Sequence, residues 1–196
     1  MNKEHVLKIF NIEDLTELPE AIMNVLFSTD RDDIFKDLIK INQGDMSHDW
    51  FQDIYEGELA ERKKKKQDFT PNTISLICSK LTDQTGSIHE PTAGNGSMII
   101  ADWWDRSSKK LPWGVFPSKN IVDCWELSNR SLPILLINLS IRGIMGYVHH
   151  GDVLENNCKQ LYILLNEHDD SLSFSKIIKA NNNDKIVAHN DNRKYI

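Results

Sequence analysis

Apolar residues recur at helical spacing through the first third of the chain: Val6, Leu7 and Phe10, then Ile22, Val25 and Leu26, then Ile34, Leu38 and Ile41. Glu13-Asp14 and Ser28-Thr29-Asp30 fall between these pieces as cap-type punctuation. A fourth helix is predicted around Trp50, Phe51, Ile54, Tyr55 and Leu59, and its aromatic stripe reads as core. Residues 1–66 are therefore expected to form a helical segment.

The pattern changes at Gln67. Thr70-Pro71 has the form of a helix start, with Thr70 at the N-cap and Pro71 at the first helical position. Ile74, Ile77, Cys78 and Leu81 are predicted to give that helix its apolar face. A short strand is expected at residues 87–90, a breaker-rich turn at 91–95 and a helix at 97–104. A loop with two prolines and a glycine covers residues 109–119, and a buried strand at 121–125 ends in Glu126.

Another helix is predicted from about Ser128 to Arg142. Pro133 is tolerable there because the first turn needs no N–H from it, and Gly143 is placed as the C-terminal cap. Strands at 147–150, followed by Gly151-Asp152, and at 161–165 complete the series. Strands alternating with helices at these lengths predict parallel pairing. The fold class expected is α/β, a partial doubly wound, Rossmann-like sheet over residues 67–180, with a polar tail at 181–196.

With 196 residues, 40% of them hydrophobic and 27% charged, the chain suits one domain or one domain with a small appendage. No apolar run approaches the roughly 18 residues of a membrane span, and the N-terminus has no secretory h-region. No membrane association is expected. Three scattered cysteines, Cys78, Cys124 and Cys158, read as reduced thiols and hence a cytoplasmic setting. His149 and His150 point to opposite faces of a strand, so no metal site is predicted. The net charge of −6 argues against broad attraction to nucleic acid. The one basic run, residues 62–66, reads as a solvated helix end or linker; the alternative is a local phosphate contact.

The chemistry concentrates in Glu90-Pro91-Thr92-Ala93-Gly94-Asn95-Gly96-Ser97, between a predicted strand and a predicted helix. Gly94 and Gly96 permit a sharp turn and a close ligand approach, and the helix start offers free N–H groups. Glu126, at the end of the next strand, stands where mononucleotide-binding sheets keep an acid for ribose hydroxyls. Asp152 follows the third strand, where a carboxylate can accept from an adenine amino group.

The order QDFTP (67–71), EPTAGNGS (90–97), DCWEL (123–127) and GDVL (151–154) resembles the N6-adenine DNA methyltransferases allied to the modification subunit of type I restriction systems. The resemblance spans roughly residues 60–155. It implies S-adenosyl-L-methionine as cofactor and a methyltransferase sheet behind a reduced helical N-terminal region. It assigns cofactor binding to Phe69, Thr70 and Pro71, to Glu90, Pro91, Thr92, Gly94, Gly96 and Ser97, to Glu126 and Leu127, and to Asp152 and Val153. The helix start after Pro71 would meet the methionine carboxylate, and Leu127 would lie beside the adenine. DNA is the implied substrate, with a specificity or completing subunit as the implied partner.

Such enzymes carry Asn-Pro-Pro-aromatic after the fourth strand to hold a flipped adenine. Here the fourth strand runs into Leu165-Asn166-Glu167-His168, so Asn166 is the one candidate for the catalytic Asn. Three readings follow: a DNA adenine-N6 methyltransferase or one subunit of it, a non-catalytic cofactor-binding or anti-restriction protein, and a methyltransferase for a small molecule or protein that shares only the fold.

Overall fold

In the computed structural model the described residues are 1–55, 57, 70–82 and 85–180. The N-terminal helices are α1 (Lys3–Phe10), α2 (Leu18–Leu26), α3 (Arg31–Ile41) and a short α4 (Gln52–Ile54). Asp14 accepts from the Thr16 N–H, and Glu17 closes the capping box ahead of α2. Asp30 sits at the N-cap of α3 without a side-chain bond to it. Trp50, Phe51 and Tyr55 are buried, as a core stripe should be. Leu59, the basic run and the tail at 181–196 lie outside the described residues.

Helix α5 (Asn72–Leu81) differs from expectation in two ways. Pro71 rather than Thr70 is its N-cap: the extended Pro71 turns its carbonyl to the N–H groups of Ile74 and Ser75. The stripe expected to face inward also faces out, with Ile77 50% and Leu81 81% exposed, while Ser75 and Ser79 are buried. Small serines let α5 approach its neighbour α6 (Ser97–Ser107) closely, and Lys80 adds an ion pair to Asp105 at 3.1 Å. The partner surface, absent from any helical-wheel argument, decides the face.

The five-stranded sheet has the order β1 (Ile88–Glu90), β2 (Val122–Glu126), β3 (Gly146–Asp152), β4 (Asn157–Leu165), β5 (Lys176–Ala180). Its first three strands are parallel, linked by α6 and by α7 (Ser131–Ile141). β4 and β5 pair antiparallel instead. Parallel return needs a crossover of a dozen residues, and only residues 153–156 separate β3 from β4. β5 itself had no counterpart in the sequence pattern. The result is an open, mixed α/β sheet of partial Rossmann-like type.

All eleven residues of α7 are buried, as befits a helix apolar on every side. It shares one hydrophobic cluster, running from Val6 to Ile177, with Val122, Cys124, Val148 and Leu164 of the sheet, and α2 packs on it as well. Pro133 sits in the first turn as expected. Gly143, at φ +66°, closes the helix: its N–H reaches the Ser140 carbonyl and that of Ile144 the Leu139 carbonyl, the paired bonds of a Schellman cap. No helix among the described residues is long and apolar enough to cross a membrane.

The burial map yields a direct check by urea denaturation. Leu135→Ala, at a fully buried α7 position, should cost about 2–5 kcal/mol of stability. Ile77→Ser on the outer face of α5 should change it by less than about 0.5 kcal/mol. Equal losses would contradict the assignment of faces.

Candidate functional site

Parallel pairing brings the carboxyl ends of β1, β2 and β3 to one rim of the sheet, and with them Glu90, Glu126 and Asp152. Between β1 and α6 the chain passes through residues 91–96, the glycine loop. Its conformation is left-handed at both glycines, with φ +56° at Gly94 and +93° at Gly96, where other residues are strained. A Cβ on Gly96 would also stand 2.9 Å from the Leu135 side chain. Gly96 therefore serves helix packing, and Gly94 is the residue turned toward the acids.

Two glutamates brace this loop. Glu90 accepts from the Thr92 N–H at 3.1 Å and from its hydroxyl at 3.4 Å. Glu126 accepts from the Gly94 N–H at 2.8 Å through one oxygen and from the Ser128 N–H at 2.6 Å through the other. The Ala93 N–H donates to the Trp125 carbonyl at 2.8 Å, tying the loop to the end of β2. Glu126 is buried. Both of its oxygens are thus fixed by backbone donors of the loop and of the turn after β2.

Asp152 lies one strand over and, since His150 is the register partner of Glu126, about 7 Å further along the strand direction. Its Oδ1 takes the N–H groups of Leu154 and Glu155, at 2.9 and 3.3 Å, and so shapes the turn that contains Val153. Leu127 is half-exposed just past β2. Ser97 opens α6, whose first N–H groups have no partners within the helix. Pro91 is exposed on the loop. Thr70 and Pro71 precede α5, with the Thr70 carbonyl accepting from Gln52 at 3.4 Å; Phe69 lies outside the described residues.

Asn166 is not brought to this rim. Because β4 runs antiparallel, with Leu164 beside Gly146, its far end reaches the opposite rim. There Asn166 is buried, and its amide nitrogen donates to the carbonyls of Gly143, Asp170 and Ser173 at 2.7–3.1 Å. These bonds pin the loop that follows β4. Ser118 and Asp169 brace the same loop against the 109–119 segment, with bonds of 2.8 and 2.7 Å.

Sequence reasoning passed over two features of the acid-bearing rim. His150 points to the same face as Glu126, and its pKa is lowered, chiefly by burial and then by Lys159, against a bond to the Leu127 backbone. Asn138, in the middle of α7, reaches the glycine loop from beneath: its Nδ2 donates to the Asn95 carbonyl at 3.0 Å. Only strand register reveals the first, and only tertiary packing the second.

A family model described as N-6 DNA Methylase matches residues 46–190 of the chain. No curated protein matches it.

The depressed His150 pKa predicts a sign. The unfolded imidazole takes its proton near pH 6.5 and the folded one only at lower pH, so stability falls as pH drops below about 6.5. In thermal melts between about pH 7.5 and 5, His150→Gln should remove part of that acid loss. An unchanged pH slope would show that the ring is not held in its neutral form by burial.

Proposed function

This chain belongs to the N-6 DNA methylase family, and from that premise we propose that it binds S-adenosyl-L-methionine at the carboxyl rim and supplies the cofactor half of an adenine-N6 DNA methyltransferase. The observation that carries the reading is the Glu126 carboxylate, held by the Gly94 and Ser128 N–H groups and buried at the end of β2. An acid at this strand end is the group that mononucleotide-binding sheets set against the ribose hydroxyls. A fixed acceptor costs no reordering when the ligand arrives.

The other residues fit around that anchor. Gly94 gives the nucleoside room, Leu127 offers an apolar edge to the adenine, and Asp152 retains a second oxygen for the exocyclic amine. Glu90, Pro91, Thr92, Gly96, Ser97 and Val153 shape the surrounding backbone. The starts of α5 and α6 present N–H groups suited to the methionine carboxylate, with Thr70, Pro71 and Phe69 leading into the first. When bound, the cofactor supplies an activated methyl group. The chain's own residues bind and orient it.

An acceptor adenine also has to be flipped and its amine oriented. With Asn166 turned to the far rim, that task falls in this reading to a specificity or completing subunit of a restriction-modification assembly. The same observation favours a second reading, a cofactor-binding protein that performs no transfer and interferes with restriction by occupying the modification subunit's place.

Calorimetric titration tests the shared premise. The wild type should bind S-adenosyl-L-methionine, and Glu126→Gln should weaken binding about tenfold or more, the worth of hydrogen bonds to a charged group. No binding by the folded wild type at millimolar cofactor would sink both readings. Mass spectrometry of DNA then separates them: N6-methyladenine formed only with an added partner subunit supports the first, and binding without transfer under every pairing supports the second.

A further inference from the structure

The segment just before α4 reaches the underside of the glycine loop. Asp49, Asn138 and Asn95 are 3%, 0% and 1% exposed. Asn138 spans the other two: its Nδ2 donates to the Asp49 carboxylate at 2.8 Å and to the Asn95 carbonyl at 3.0 Å. Asp49 also accepts from the Phe51 N–H at 2.9 Å, and the Asn95 side chain lies beside its carboxylate.

Arg142, the C-cap of α7 and one turn beyond Asn138, completes the joint. Its guanidinium donates to the Met46 carbonyl at 3.0 Å, the His48 carbonyl at 2.6 Å and the Asn138 carbonyl at 2.9 Å, and it stands 5.0 Å from the centre of the Trp50 ring. Met46, His48 and Trp50 therefore meet Arg142, Asp49 meets Asn138, and Asn138 carries the connection on to Asn95, the residue between Gly94 and Gly96. Buried polar groups of this kind are costly unless satisfied, so a change in one partner is felt by the others.

We infer that Asn138, held in place by Asp49, is a positioning residue for the glycine loop: it fixes the Asn95 carbonyl and thereby the direction in which the Gly94 N–H and the start of α6 face. The inference rests on the reading of that loop as the cofactor site. It adds that the 46–50 segment is part of the site's construction. The family match begins at residue 46 and so includes that segment. Asn138 touches no reacting atom in this account; it acts through the backbone of Asn95.

Amide hydrogen exchange followed by mass spectrometry, combined with cofactor titration, tests it. Asn138→Leu keeps the volume and removes the donor; Asn138→Ser is a milder variant should leucine not fold. In the ligand-free protein, peptides covering residues 90–97 should exchange at least about fivefold faster in either variant, the worth of one hydrogen bond of about 1 kcal/mol. Peptides of β2 and β3 should keep wild-type protection. Cofactor affinity should fall by a similar factor.

Wild-type exchange at residues 90–97 in a folded Asn138 variant would overturn the inference, and so would faster exchange spread evenly over the sheet. The exchange arm needs no cofactor. A wild type that binds no S-adenosyl-L-methionine therefore counts against the proposed function while leaving this inference to stand or fall on exchange alone.

Discussion

The rest of the structure depends on the burial of α7. A helix apolar on all sides cannot rest on a sheet with its back to water; something must cover the other side, and α2 contributes to that cover. Helices that look appended in sequence are thereby drawn into one core with the sheet. The polar residues of α7 must then be satisfied internally. Ser131 donates to the Tyr55 hydroxyl, while Asn138 and Arg142 find partners in residues 46–49 and in the glycine loop.

That constraint bears on the acid-bearing rim as well. A glycine-rich loop is intrinsically free, and ordering it costs entropy. Here Glu90 and Glu126 hold it from the sheet side and Asn138 from below. The opposite rim is also fixed, by Asn166 and by the Ser118–Asp169 bonds. The two ends of the sheet do different work: one is organised around acceptors and backbone donors, the other around loop closure.

Much of this was readable from local sequence. The strand-turn-helix around Gly94 and Gly96, the acid ending β2, the early proline of α7 and its Gly143 cap all follow from short-range rules, and the structure holds them where those rules put them. What escaped was decided at long range. Strand direction after Asp152 depends on the shortness of one connection, and it sends Asn166 away from the acids. The buried face of α5 depends on what α6 offers it. His150 and Asn138 enter the site through register and packing, neither of which leaves a periodic signal.

The proposed function puts an S-adenosyl nucleoside at the carboxyl rim and not at the Asn166 rim. Backbone amide resonances followed during addition of S-adenosylhomocysteine test it most directly. The account predicts saturable shifts at Gly94, Gly96, Leu127 and Gly151, with Asn166 and Ser173 unmoved. Shifts confined to the Asn166 rim, or none at saturating ligand, would contradict it.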